Sequence, residues 1–410
     1  KSFLRLQDIN YRVNYWAPWA SFYKFNATKS IQINNAFIMN SFFVNYRFRC
    51  GRFPNCFYIF LWYLNSFILK VVHVVEALAG GVHTYFNDLS FFFGDHEINE
   101  TIETTIIYSG NRKEIDSKKI KEEFSNGVSL LELHMVRNFS PIQDIKSTIA
   151  LIAILRKLKP DVVHLHSSKA GVLGRLSCFL LFKKKKVFYT PHGYSFLRKD
   201  INLWSRKMYW FIEKSAQKLF GGRTIACGDT EYEIAKTLGE SYLVRNGIDV
   251  AYVNNLSEEK TNKTLTLGIL GRITFARNPK LFNEIALKFP DFNFVWIGDG
   301  ELKHLISAPN IVVTGWFKQR NDALKELSKI DIYIHTSLWE GLPIAILEAM
   351  AMKKPVLATN LIGNKDIVIP AETGFLFNTI EELDAYLEIL KEEKTRKIFG
   401  EKALDASHFL

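Results

Sequence analysis

Cysteine is scarce in this chain, with 4 in 410 residues, at Cys50, Cys56, Cys178 and Cys227. No C-x2-C pair occurs among them, which argues against a structural zinc site, and so few thiols cannot staple a disulfide scaffold. A reducing cytoplasm is the expected compartment. Long apolar runs are missing as well. The run Phe57 to Leu69 (FYIFLWYLNSFIL) covers 13 residues where a spanning helix needs about twenty, and no small-residue cleavage site follows it. The fingerprint G-x-G-x-x-G is absent, which argues against a dinucleotide cofactor. No D-x-D metal-diphosphate motif occurs between Val71 and Leu410.

Acid is lacking in the first seventy residues, where Asp8 alone faces nine Lys/Arg. The other 340 residues hold 44 basic and 41 acidic side chains, so the formal net charge of +11 describes the head and gives no reason to expect nucleic acid as a partner. The head also concentrates 20 of the 57 aromatics and 9 asparagines without a sustained helical or strand period. Residues 1–69 are therefore expected to lie outside the folded part of the chain. The alternative for them is a peripheral membrane contact, with Arg47, Arg49 and Arg52 flanking the apolar run.

What is present, from Val71 onward, is a series of short apolar strands alternating with amphipathic helices. That alternation predicts α/β architecture with parallel sheets covered on both faces. Strands are expected at Lys70–Val75, Val162–Leu165 and Val187–Tyr189. A second series reads Leu265–Leu270, Phe294–Ile297, Ile311–Thr314, Ile332–His335 and Pro355–Ala358. One intervening helix carries apolar residues at Ile142, Ile145, Ile149 and Ile152 and stops at Pro160. The polar stretch Asn254–Thr264 reads as a linker, which divides the chain into residues 70–250 and 251–410. Two doubly wound, Rossmann-like units would face each other across a cleft, with ligands at the carboxyl ends of the strands.

The loops leaving those strands carry the chemistry. After Ile332–His335 comes SLWEGLPIAILEAMAMKK, with Glu340 at the mouth of a helix, Glu348 inside it, Gly341 for close backbone approach and Pro343 suited to the first turn. Free amides at such a mouth bind anions, and carboxylates accept hydrogen bonds from sugar or ribose hydroxyls. In GILGRITFARNP, Arg272 and Arg277 offer planar forks matched to phosphate oxygens. Gly80 and Gly81 make a turn free of side chains before the first helix. His192, in TPHGYSF, follows a strand and can donate to a hydroxyl or meet developing charge. Asp299, in WIGDGEL, either caps its own turn or touches a ligand, and Trp316 reads as core or as a stacking surface for a base. His164, His166 and Lys169 sit together in HLHSSKAG, where the H-x-H pair has no third metal ligand close in sequence. The run Lys183 to Lys186 is either a solvated connection or a lipid contact.

These motifs resemble family 4 of the retaining glycosyltransferases, which have the two-domain GT-B fold, from about Val71 to Leu390. The resemblance implies transfer of a sugar from a nucleoside-diphosphate donor, a UDP-sugar, to a sugar or lipid-linked acceptor in bacterial surface-polysaccharide synthesis. It makes Glu340, His192 and Arg272 catalytic, and Arg277, Glu348, Gly80, Gly81, Gly341 and Asp299 donor-binding. His166 and Lys169 fall on the acceptor side, with no metal or other cofactor and a location at the inner face of the membrane. The chain departs from the family where Arg277 takes a lysine's place. The helix Glu381–Glu393 is expected on the second unit. Only Thr395–Leu410 then remains for the family's return to the first unit, so weakened closure and low activity are expected. A sugar-nucleotide epimerase and a non-catalytic nucleotide-sugar binder are the competing classes.

Overall fold

A computed structural model describes residues 68–76, 78–111, 117–181, 186–258 and 264–408. The head, residues 1–67, and all but Lys186 of the lysine run lie outside the described residues. The first unit runs β1 (Leu69–Val75), α1 (Gly81–Phe93), α2 (His96–Asn99), β2 (Ile102–Tyr108), α3 (Ser117–Glu123), β3 (Ser129–Glu132), α4 (Pro141–Leu158), β4 (Val162–His166), α5 (Ser168–Leu180), β5 (Val187–Thr190), α6 (Leu203–Phe220), β6 (Arg223–Ala226), α7 (Asp229–Leu238), β7 (Ser241–Leu243) and α8 (Val250–Asn255). The second runs β8 (Thr266–Leu270), α9 (Pro279–Lys288), β9 (Asn293–Ile297), β10 (Ile311–Val313), α10 (Arg320–Ser328), β11 (Ile332–His335), α11 (Ile344–Ala351), β12 (Val356–Thr359), β13 (Gly374–Phe377), α12 (Glu382–Lys391) and α13 (Glu393–Ser407).

The strands form two parallel sheets, ordered β3-β2-β1-β4-β5-β6-β7 and β10-β9-β8-β11-β12-β13. Strands such as β1 (LKVVHVV) and β4 (VVHLH) are apolar on both faces because both faces are covered. On one face of the first sheet Val71 and Ile106 meet Phe86 and Phe93 of α1. On the other, Val72 and Leu165 meet Leu151 and Leu155 of α4 and Ala170 of α5. In both sheets the strand order reverses beside the first strand of the unit, β1 or β8. Such switch points open clefts at the carboxyl ends of the strands.

The chain ends of α4 are set by Pro141 at its first turn and Lys159 in the left-handed region at its close. Its buried face is Ser147, Thr148, Leu151 and Leu155. The isoleucine stripe that the sequence displays lies elsewhere, with Ile142, Ile145 and Ile149 exposed at 73%, 61% and 63%. Periodicity fixed the helix but not which face turns inward.

Helix α11 is the reverse case. All eight of its residues are buried, as an all-round apolar helix requires. Helices α8, α10 and α13 pack against it. Helix α13 packs on α11 and α12, with Phe399 against Phe375 and Gly400 so close that a Cβ would sit 2.2 Å from the carbonyl of Lys353. Residues past Thr395 thus build onto the second unit. Among the described residues no helix is long and apolar enough to cross a membrane.

Candidate active site

Between the two sheets lies a cleft of about 1460 Å³, lined by the loops that leave β1, β5, β8, β9 and β11. Its lining brings together Gly80, Gly81, His192, Arg272, Arg277, Asp299, Glu340, Gly341 and Glu348 from both units. His166 and Lys169, expected on the acceptor side, are not in the lining. His166 is fully buried behind His192, and the Lys169 ammonium is held by Asp144 of α4 at 2.6 and 2.7 Å and by the carbonyl of Asn138 at 3.0 Å.

On the second unit Glu340 Oε1 is the meeting point of three groups. Arg277 Nη1 lies 2.9 Å away, the Ser337 hydroxyl donates at 2.7 Å and His335 Nε2 sits at 3.1 Å. Burial pushes this carboxyl upward, yet the Arg277 guanidinium and the bonds from His335 and Ser337 outweigh it and hold it at about 2. Burial together with Arg277 also holds His335 down, at about 4, so it stays neutral. Gly271, beside Arg277, has a φ of +138°, a conformation that favours glycine.

Eight residues on, Glu348 accepts from Arg320 twice, Nε at 3.1 Å and Nη2 at 2.7 Å, both on Oε1. Arg320 then reaches across the cleft and donates from Nη1 to Asp88 of α1 at 2.9 Å. Burial raises the Glu348 carboxyl, with Arg320 pulling the other way. Sequence reasoning missed this link. A signal was available, because Arg320 opens α10, and a cation at a helix N-terminus opposes the dipole unless carboxylates hold it.

The first unit contributes a chain of imidazoles. His192 Nε2 lies 3.0 Å from His166 Nδ1, and His166 Nε2 lies 3.0 Å from His73 Nδ1. His164 turns aside to the hydroxyl of Thr190 at 2.8 Å. Burial lowers all four, His192 to about 4 and His73 to about 3, so each is neutral and owns one N–H. In the His73–His166–His192 series the hydrogen bonds therefore all run one way, and the tautomer of His73 dictates whether the outer nitrogen of His192 donates or accepts. Ring nitrogens of His73, His164 and His166 fall within 4.8 Å of one another, a spacing suited to an ion. Here they are spent on each other, on Thr190 and on His192.

His192 has φ +52°, an unusual value for a side-chain-bearing residue, and buried Glu231 holds the loop in place. Its two oxygens accept from the amides of Gly193 at 2.8 Å and Cys227 at 2.9 Å. Across the cleft the loop touches the second unit backbone to backbone. A Cβ on Gly341 would sit 2.7 Å from the Gly193 nitrogen and 2.8 Å from the His192 carbonyl carbon. Nearby Asp366 accepts from both the amide and the hydroxyl of Thr230 at 2.9 and 2.8 Å, a second clasp between the units.

Gly80, at φ +58° and ψ −134°, adopts a conformation that favours glycine, and nothing lies within 4 Å of a Cβ built on Gly80 or Gly81. The mouth of α1 therefore opens onto free space in the cleft. Asp299 caps its own turn, accepting from the Gly300 amide at 2.8 Å, and lies 3.4 Å from Lys303. Trp316 is 64% exposed on the cleft wall, so the core reading of it fails.

Residues 79–252 match the sequence profile of Glycosyltransferase Family 4, and residues 254–405 that of Glycosyl transferases group 1. Over 290 residues the chain is 32% identical to UDP-Gal:alpha-D-GlcNAc-diphosphoundecaprenol alpha-1,3-galactosyltransferase of Escherichia coli, covering 62% of this chain and 72% of that one. The chain belongs to glycosyltransferase family 4. This glycosyltransferase is also 24% identical to the capsular polysaccharide biosynthesis glycosyltransferase CapM of Staphylococcus aureus, over 70% of its own length and 81% of the relative's. Its fold is that of sucrose-phosphate synthase from Thermosynechococcus elongatus (TM-score 0.66, 14% identity, 83% of this chain and 94% of that chain). It is equally that of an Anabaena protein solved with UDP and glucose (TM-score 0.64, 15% identity, 83% and 95%). Both are two-sheet GT-B structures, and the transferase relatives set the epimerase and non-catalytic classes aside.

Proposed function

We propose that the enzyme transfers a sugar from a UDP-sugar to a lipid-linked sugar acceptor, with retention of anomeric configuration and without a metal, during synthesis of a bacterial surface polysaccharide at the inner face of the membrane. The observation that carries this reading is the convergence in one cleft of an ionised carboxylate (Glu340), two arginines (Arg272, Arg277), a neutral histidine (His192) and the open mouth of α1. The names of the relatives supply the donor and acceptor classes.

Arg272, Arg277 and the amides at Gly80 and Gly81 stabilise the diphosphate as it leaves, since oriented cations and amide dipoles act most strongly where water is excluded. Glu340, kept charged by Arg277, orients the sugar. Glu348 accepts from the ribose, and exposed Trp316 offers a face for the base. The bond from C1 of the sugar to the diphosphate oxygen breaks while the acceptor hydroxyl oxygen bonds to C1 on the same face. The hydroxyl proton passes to the departing phosphate oxygen, with His192 meeting the charge that develops on the sugar.

The test is a panel of UDP-sugars with a polyprenyl-diphosphate-linked acceptor, following UDP release and the anomer of the product by NMR. Retained product, and about a hundredfold loss in Arg272→Ala, are expected. Inverted product would sink the retaining mechanism. Activity abolished by a chelator and restored by a divalent ion would sink the metal-free one.

A further inference from the structure

The outer surface of the first unit is unusual where α4, α5 and α6 lie side by side on the sheet. The isoleucine stripe of α4 is exposed, and Phe139 just before the helix is exposed at 82%. On α6, one helical stripe presents Trp204, Met208 and Phe211, at 82%, 50% and 65% exposure. Helices that follow the strands of a parallel sheet start at the carboxyl ends of those strands. Apart from Leu219, the exposed large apolar side chains of both helices sit in their first halves, so they gather at the end of the unit where the cleft opens.

Charge on this surface has one sign. Lys207, Lys214 and Lys218 line the α6 stripe, with the Lys207 and Lys214 ammonium groups 5.7 and 4.5 Å from the ring centres of Trp204 and Trp210. The only carboxylates on the two helices are already matched: Asp144 holds Lys169, and Glu213 is buried with Arg175 at 3.2 Å. Among the described residues none of those three lysines lies in an ion pair.

We infer that this face docks on an anionic membrane surface, inserting the apolar side chains of α4 and α6 among the acyl chains and setting the lysines against acidic headgroups. Aromatic and aliphatic tips beside basic residues, without opposing carboxylates, are what an interfacial surface requires. A second copy of the chain would bring an equally positive face against it. The chain's own head, with eight basic residues against one acid, would do the same. Lys169 gains a role here: by holding Asp144 and the Asn138 carbonyl it pins the start of α4 and withdraws that helix's only carboxylate. The inference uses the function proposed above only for its purpose, which is to hold the cleft beside a lipid-linked acceptor.

The experiment is vesicle flotation of the full chain with phosphatidylcholine alone and with phosphatidylcholine containing about a third phosphatidylglycerol. Binding to the anionic vesicles, weakening as salt rises, is expected. Lys207→Glu with Lys214→Glu should weaken it by on the order of twentyfold or more, given about fivefold per lysine. Trp204→Ser with Phe211→Ser should weaken it tenfold or more. Both variants should melt like the wild type and release UDP as fast with a water-soluble acceptor. Equal vesicle binding by variants and wild type would overturn the inference by placing the contact elsewhere, the head included. So would absence of binding to anionic vesicles, or a wild-type dimer that the Trp204→Ser, Phe211→Ser variant loses. If vesicle binding behaves as expected and no sugar moves to any acceptor, the proposed function fails and the docking face stands.

Discussion

The two walls of the cleft solve the problem of a buried polar group in opposite ways. On the second unit burial is answered by charged partners, with Glu340 kept ionised by Arg277 and Glu348 bonded to Arg320. On the first unit it is answered by neutrality: four histidines are held unprotonated, hydrogen-bonded among themselves and to Thr190. The contrast suits a reaction with a dianionic leaving group on one side and a neutral hydroxyl on the other. A charged wall holds the part of the substrate that bears charge. A neutral wall, fixed by tautomers, offers a hydrogen bond without attracting the diphosphate to the wrong side.

Removing the central cation should break the charged wall most severely. Arg277→Ala is expected to slow transfer by a hundredfold or more, since it strips a cation from the diphosphate and the counter-charge from Glu340. With Arg277 gone, only His335 and Ser337 oppose the upward pull of burial on Glu340. The acid limb of kcat/KM should then move from near pH 2 toward neutral, and a pH profile of the variant checks the sign. An unmoved limb would mean that Arg277 does not set the charge of Glu340.

The neutral wall should be softer. His166→Phe keeps a ring and removes both nitrogens, so His192 loses the partner that fixes its tautomer. A fall in kcat of roughly five- to tenfold with little change in donor KM is expected, as for one lost orienting hydrogen bond. The wild-type fold should meanwhile lose stability as pH falls below about 6.5. An unfolded chain takes up protons on its histidines from there, whereas His73, His192 and His335 take theirs only near 3 to 4. Melting curves at pH 7 and 5 measure this, and a drop of several degrees is expected.

Glu348→Ala should divide the charged wall into its parts. A ribose contact is made about equally in ground and transition states, so donor KM should rise about tenfold while kcat changes by less than about twofold. Smallest of all is Asp88→Asn, which cuts the bond from Arg320 across the cleft. That pair is about a quarter exposed on each side, and solvent screens it, so a change in KM of about twofold is expected. A larger effect would show that closure of the cleft depends on this bond.

The sequence made one wall more legible than the other. Glu340, Glu348, Arg272 and Arg277 stand in local motifs at strand ends, where spacing and glycine content announce a phosphate and sugar site. Strand β1 was equally plain, whereas β2 went unread although it is seven residues long and rich in β-branched residues, as did the short β3, β6, β7 and β13, which carry three or four residues each. The imidazole chain was hidden because it joins His73 on β1 to His166 on β4 and His192 beyond β5, and only the sheet register sets His73 beside His164. Arg320 and Glu231 were hidden for the same reason, since Glu348 and Asp88 lie 28 and 232 positions from Arg320, and Gly193 lies 38 from Glu231. For α4, Ser147 and Thr148 pack inward beside the leucines, and a reading by hydropathy alone favours the isoleucines on the other side.

The backbone contact between Gly193 and Gly341 bears on how such enzymes can be recombined. A hybrid built from the first half of one relative and the second half of another inherits one glycine from each parent. Any side chain at position 341 must displace the neighbouring loop, and one at 193 is strained by its φ of +91° as well. Exchange of whole halves, an obvious route to new donor and acceptor pairings, is therefore open only between parents that leave both positions bare.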